Sequence, residues 1–89
     1  MTLRAEEFDR IISKFGFEVR DSRDRLAWFV YEGRKVLFTK RSHMRGGDLP
    51  FAHKIRQQLK LDERQMDLAK RCPLDRAGYV EILRGKGLI

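Results

Sequence analysis

The side chains best suited to bind or cleave a polyanion lie in one short basic loop, residues 40 to 48. This loop reads KRSHMRGGD and carries Lys40, Arg41, His43 and Arg45. A histidine among cations can act as a general acid or base, or it can contact a phosphate. These residue types therefore indicate either catalysis by His43 or simple phosphate binding. An exposed loop histidine with neither role is the third possibility.

Further cations flank this loop in the chain. Residues 20 to 45 contain eight basic and three acidic side chains, which supply +5 of the formal net charge of +7. Arg25, Arg34 and Lys35 lie in this stretch, and Lys54 follows it. Such clustering predicts a continuous electropositive face, open to solvent, that binds RNA or another polyanion through counterion release. The simpler alternative is that these cations only keep the protein soluble.

Aromatic residues alternate with these cations. Trp28, Phe29 and Tyr31 lie between Arg25 and Arg34. Aromatic rings on a basic sheet can stack on RNA bases, but they can equally pack across strands and into a core. Core packing is the expectation above all for Phe29, and base stacking stays open for Trp28 and Tyr31.

Hydrophobic periodicity and turn residues predict an α+β fold, in which helices pack on a three-stranded antiparallel sheet. The order α-β-β-β-α is also that of double-stranded-RNA-binding domains, and two short helices follow it here. Helices are predicted over residues 3–15, 49–60, 63–71 and 76–84, and strands over 17–20, 26–31 and 34–39. Helix caps are predicted at Thr2, Asp48, Asp62 and Asp75.

The central hairpin has a predicted two-residue turn at Glu32-Gly33, since glycine readily adopts a positive φ. Counting back from this turn pairs Phe29 with Val36 and Ala27 with Phe38. Both faces of the sheet are then partly apolar. Either later helices or a partner must cover the second face.

The length of 89 residues predicts a single domain, residues 1–89, with a small core. No apolar run approaches the ~20 residues of a membrane span, and no signal peptide is visible, so we expect a cytoplasmic protein that does not bind membranes. The lone Cys72 and the two histidines offer no metal-ligand spacing, and no cofactor motif occurs. We therefore expect neither metal nor cofactor.

Several short motifs together resemble the HicA family of small toxin ribonucleases. They are Phe15-Gly16-Phe17 after the first helix, the turn Glu32-Gly33-Arg34-Lys35-Val36, the basic residues 40–43, and Gly47-Asp48-Leu49 before the second helix. The resemblance covers residues 2–61 and leaves 62–89 as a C-terminal helical extension. It implies a toxin-antitoxin component that binds or cuts mRNA, with an antitoxin-like protein as a partner.

One position departs from the HicA pattern. HicA-like proteins carry the active histidine, usually within Gly-Ser-His, early in the first hairpin strand, where this chain has Asp24-Arg25-Leu26-Ala27. Three hypotheses follow: RNA binding without catalysis, an mRNA interferase that uses His43, and a non-enzymatic domain that binds another protein. The sequence leaves these three hypotheses, the RNA target and the oligomeric state open.

Overall fold

The computed structural model describes residues 1–43, 47–71 and 73–89, and its elements follow the predicted order. These elements are α1 (Ala5–Phe15), β1 (Glu18–Asp21), β2 (Arg25–Tyr31), β3 (Arg34–Arg41), α2 (Ala52–Gln58), α3 (Glu63–Lys70) and α4 (Arg76–Gly85). The strands form one antiparallel sheet in the order β1-β2-β3. The predicted α+β class with a three-stranded antiparallel sheet is confirmed.

Helix α1 begins later than predicted, because the residues before it pair with the chain beyond β3. Arg4 forms an antiparallel bridge with Asp48, and the Leu49 amide donates to the Leu3 carbonyl at 2.7 Å. The N-cap of α1 is Arg4, so the prediction of a cap at Thr2 is wrong.

The same bridge changes the start of α2. Asp48 is held beside Arg4, and the N-cap of α2 is Phe51 instead of the predicted Asp48. Strand β3 is longer than predicted and includes Lys40 and Arg41, which the sequence analysis placed in a loop. Successive side chains of a strand point to opposite faces of the sheet. The side chains of Lys40 and Arg41, which the sequence analysis grouped together, are therefore on different faces.

The last two helices begin where the capping residues predict. The Asp62 carboxylate accepts from the Gln65 amide at 2.7 Å, and the Asp75 carboxylate accepts from the Gly78 amide at 2.9 Å. Each carboxylate satisfies a backbone N–H that the first helical turn leaves unpaired.

The hairpin turn is confirmed at Glu32-Gly33, where φ is 50° and 78°. Positive φ at both central residues is the geometry of a two-residue hairpin turn. Tyr31 and Arg34 accordingly pair across it.

A β-bulge at Val36 then shifts the register. Val30 pairs with Lys35, whereas Phe29 pairs with Leu37, so Val36 is the extra residue on β3. The predicted pair of Phe29 with Val36 is therefore wrong. A bulge of this kind reverses which face the following side chains point to, because strand side chains alternate.

Beyond the bulge, Ala27 pairs with Thr39 and Trp28 pairs with Phe38. The predicted pair of Ala27 with Phe38 is wrong. Ala27 and Thr39 are fully buried beneath the helices, whereas the Phe38 side chain is 37% exposed on the opposite face. The bulge thus moves an aromatic ring from the core to the surface.

Tyr79 of α4 lies at the centre of the core. Its ring stacks on Phe15 at 4.4 Å between centroids and meets Phe29 edge-on at 5.1 Å. Its hydroxyl donates to the Leu59 carbonyl at 2.8 Å, and burial raises the pKa of Tyr79. Residues 62–89, which the sequence analysis described as an extension, therefore complete the same core.

Arg76 ties α4 to both α1 and the sheet. Its guanidinium donates to the Phe15 carbonyl at the end of α1 and lies 4.8 Å from the centre of the Phe29 ring. The C-cap Gly16 has φ 73°, and a β-carbon there would lie 2.8 Å from the Arg76 guanidinium. The positive φ favours glycine at this helix end, and any larger residue would also have to displace the flexible Arg76 side chain.

Candidate nucleic-acid interface

Two of the predicted phosphate-binding cations are held by a carboxylate of α1. Arg25 and Arg41 lie opposite each other on β2 and β3. Arg41 donates two hydrogen bonds of 2.9 Å to Asp9, and an Arg25 nitrogen lies 3.2 Å from the same carboxylate. The Arg41 side chain is only 8% exposed. Asp9 thereby offsets the repulsion between two opposed guanidiniums.

Arg25 has a second carboxylate partner. Its Nε donates to Asp21 at 2.9 Å, and this hydrogen bond lowers the pKa of Asp21 and raises the pKa of Arg25. The prediction of a continuous electropositive face open to solvent is therefore wrong at Arg25 and Arg41. These two arginines join α1 to the end of the hairpin.

Other predicted cations remain open, and two of them line a cleft of about 260 Å³ between the end of β3 and the start of α2. Lys40 and Lys54 are both exposed residues of its lining. The Lys40 ammonium lies 3.5 Å from Asp24, but the lysine side chain is 53% exposed. An ion pair this exposed contributes little energy, so Lys40 can exchange it for a ligand phosphate.

The rim of this cleft carries Phe51, whose side chain is 75% exposed. Its φ is 61°, in the left-handed region that bulky residues rarely adopt. Strained backbone of this kind concentrates at functional sites, where the surrounding structure maintains it. An exposed ring beside two lysines is a surface on which a nucleobase can stack.

The wall of the cleft also includes Ser42. Its hydroxyl oxygen is buried and has no hydrogen-bond partner within the part of the chain that the structure describes. Buried polar atoms are almost always paired, so this hydroxyl is a candidate to pair with a ligand oxygen once a rotation of the side chain exposes it to the cleft. The sequence analysis noted Ser42 only as a neighbour of His43.

The two histidines do not form a catalytic pair with a carboxylate in the described ranges. His43 is exposed, and no hydrogen bond or ion pair joins its side chain to another described residue. His53 lies on α2 with its Nδ1 3.9 Å from the Glu63 carboxylate. Among the described residues neither imidazole has the hydrogen-bonded partner that normally orients a general base, and both exposed imidazoles can contact an anion.

The remaining predicted residues lie apart from the cleft or outside the described chain. Arg34 is exposed at the hairpin turn, and the Lys35 ammonium lies 5.1 Å from the centre of the Trp28 ring. Arg45 lies outside the described residues, so its predicted phosphate contact stays a prediction.

The second face of the sheet, here called the outer face, includes Lys35, Trp28 and their cross-strand neighbours. Its members are Glu18, Arg20, Leu26, Trp28, Val30, Lys35, Phe38 and Lys40. The Trp28 and Phe38 rings lie 5.4 Å apart. The four apolar members all lie outside the core cluster that the described residues form. Phe29, in contrast, is fully buried, as expected.

Sequence reasoning missed Phe51 and Phe38 as surface aromatics. Phe38 reached the outer face through the Val36 bulge, for which the sequence carries no glycine or proline signal. Phe51 precedes α2, and only its neighbour Pro50 hinted that regular helix begins after it.

Neither a metal site nor a membrane-spanning helix occurs among the residues that the structure describes. No three His, Cys, Asp or Glu side chains converge there as a metal ion would require. None of the described helices has the length and apolar character needed to cross a bilayer.

Comparison with known proteins adds no family to this geometry. No family model, no curated protein and no solved structure matches the chain.

Proposed function

We propose that this protein binds RNA, and that the cleft between β3 and α2 is the contact site. The observation that carries the proposal is the convergence of two exposed lysines, Lys40 and Lys54, on a cleft in which the Ser42 hydroxyl has no partner among the described residues. A phosphate oxygen accepts hydrogen bonds from ammonium and hydroxyl groups alike, and such contacts position RNA without reading its sequence.

Four residues of the cleft have a role in this proposal. Lys40 and Lys54 neutralise phosphates, Ser42 donates to a phosphate oxygen, and the exposed Phe51 ring stacks on a base. His43 and Arg45 extend the contact along the loop. Arg41 is not part of the proposed site, because its guanidinium is hydrogen-bonded to Asp9.

The protein would then be an RNA-binding relative of HicA-type toxins, in the cytoplasm, with an antitoxin-like protein as a possible partner. The α-β-β-β-α order supports this relationship. The Gly-Ser-His motif is missing from the first hairpin strand, which supports binding without the usual catalysis.

The salt dependence of RNA binding tests the cleft. Replacing Lys40 and Lys54 by glutamine should make the negative slope of log affinity against log salt shallower by about 1.4 for single-stranded RNA, since each lost phosphate contact removes about 0.7. Fluorescence anisotropy of labelled RNA, measured over a series of salt concentrations, gives this slope directly.

The matched control replaces Arg10 and Arg64 by glutamine, which removes the same charge from exposed positions on α1 and α3. This variant should keep the wild-type slope. Equal slopes for both double variants would contradict a localised site. Absence of binding at low salt would overturn the RNA proposal and favour the protein-binding alternative.

The same samples also test the mRNA interferase alternative. His43 is exposed directly beside Ser42 of the cleft, so bound RNA would lie within its reach. We expect intact RNA on a denaturing gel after incubation with the wild type. Cleavage that disappears in the His43→Ala variant would instead establish a ribonuclease that uses this histidine.

A further inference from the structure

We infer that the outer face of the sheet is a stacking platform for single-stranded RNA, which extends the proposed cleft contact and rests on the proposed RNA-binding function. The geometry that carries this inference is the Trp28–Phe38 pair, which is partly open to solvent and shares its face with several cations. The partner is a strand whose bases are free to leave their own stack.

The apolar centre of this face is partly open to solvent. Leu26, Trp28 and Val30 are half-buried, and Phe38 is 37% exposed. Trp28 and Phe38 pair directly across β2 and β3, and their ring planes are tilted by 44°. Two neighbouring rings on a sheet surface offer flat contact area to successive bases whatever their identity, because every base has a π face.

The charge around this centre is complementary to a phosphate backbone. Three cations, Arg20, Lys35 and Lys40, share the face with one carboxylate, Glu18. The Lys35 ammonium lies over the Trp28 ring at 5.1 Å. A base that stacks on this ring would displace the flexible lysine side chain, which could then pair with the phosphate that follows the base. This combination favours a polyanion that also carries flat rings over an apolar protein surface.

The outer face and the cleft share one residue. Lys40 points to the outer face as the cross-strand partner of Leu26, and it also lines the cleft. Phe38 lies two residues before it on the same strand and the same face. A single strand can therefore run from the Trp28–Phe38 pair past Lys40 into the cleft, whereas a duplex keeps its bases inside the helix and cannot stack on these rings.

Trp28 reports on this contact by itself, because it is the only tryptophan of the chain. Short oligouridine is titrated into the full-length protein, and tryptophan fluorescence is recorded alongside the anisotropy of the labelled RNA. We expect quenching that saturates together with the anisotropy. An RNA duplex of the same length should raise the anisotropy with little quenching.

Variants on the outer face separate stacking from charge. Phe38→Leu keeps an apolar side chain but removes the ring, and it should weaken oligouridine binding about 5- to 150-fold, the range for losing one stacked base. The salt slope should stay as in the wild type, because no cation is lost. Leu68→Ala removes an exposed apolar side chain from α3 and serves as the matched control, with unchanged affinity.

The outcomes distinguish this inference from the proposed function. RNA that raises the anisotropy without quenching Trp28, and that binds Phe38→Leu as tightly as the wild type, would overturn the stacking platform and leave the cleft proposal standing. No change in anisotropy would overturn both. A circular dichroism spectrum of Phe38→Leu that matches the wild type shows that lost affinity is not lost folding.

Discussion

The two faces of the β2–β3 hairpin are built from similar residue types. They differ in whether other parts of the protein cover these residues. On the helix-covered face Ala27, Phe29 and Thr39 are fully buried, and the Thr39 hydroxyl donates to Gln58 at 2.8 Å. On the outer face Phe38 and its neighbours remain partly in contact with solvent. Packing accounts for the first face, and the proposed RNA contact would account for the second.

The cations likewise fall into two groups, those paired with a carboxylate inside the fold and those exposed to solvent. The guanidinium of Arg41 is buried and bidentate with Asp9, whereas the ammonium groups of Lys40 and Lys54 are exposed at the cleft. A planar guanidinium suits a fixed pair with a carboxylate, and a flexible ammonium suits an exchangeable contact. A basic composition therefore indicates nucleic-acid binding only after the cations that serve the fold have been removed from the count.

The largest effect is expected where the helices cover the inner face. Tyr79→Ala removes the ring that contacts Phe15 and Phe29, and it should lower the free energy of unfolding by about 4 kcal/mol, as for other buried aromatic truncations. Urea denaturation measures this loss. The exposed Val19→Ala control on β1 should cost less than about 1 kcal/mol. Similar losses for the two variants would mean that α4 is not part of the core.

The next effect separates the two kinds of cation. Arg41→Ala leaves the Asp9 carboxylate with Arg25 alone and should cost about 2–3 kcal/mol of unfolding free energy, less than a fully buried pair because Asp9 is itself 35% exposed. Lys40→Ala should cost less than about 0.5 kcal/mol. RNA affinity, in contrast, should fall more in Lys40→Ala than in Arg41→Ala. If Arg41→Ala stays folded and is the only one of the two variants to lose RNA affinity, Arg41 is part of the binding site.

The fold was largely predictable because its signals are local. Asp62 and Asp75 cap the helices that follow them, and Glu32-Gly33 can form a hairpin turn without any tertiary contact. Such features depend on residues within one turn of the chain. The order of elements and the sheet follow from them.

The site was less predictable because it depends on distant pairs. Asp9 lies 32 residues from Arg41 in sequence, and no local pattern links the two side chains. No turn residue marks the bulge at Val36, which packs against the core, yet the bulge decides that Phe38 faces outward. The alternation of apolar and polar residues predicts the sheet face of each strand residue only where no bulge shifts the strand register.

The smallest effect concerns a single buried hydroxyl and depends on pH. Tyr79→Phe leaves the Leu59 carbonyl without its donor and should cost about 1 kcal/mol near neutral pH. Burial raises the pKa of Tyr79 above its ordinary value of 10.0, so the unfolded chain releases this proton more readily than the folded one. The stabilisation is therefore complete below pH 10.0 and falls as the pH rises further.

Urea denaturation at neutral pH and above pH 10.0 measures both parts of this prediction. The difference in stability between the wild type and Tyr79→Phe should shrink and then reverse in alkali, because phenylalanine has no proton to lose. Tyr31→Phe is the matched control at neutral pH, with a cost below about 0.5 kcal/mol, since the Tyr31 hydroxyl meets Arg84 at the surface. A difference that stays constant with pH would show that the interior tolerates the ionised ring, and the contrast between a fully satisfied inner face and an open outer face would weaken accordingly.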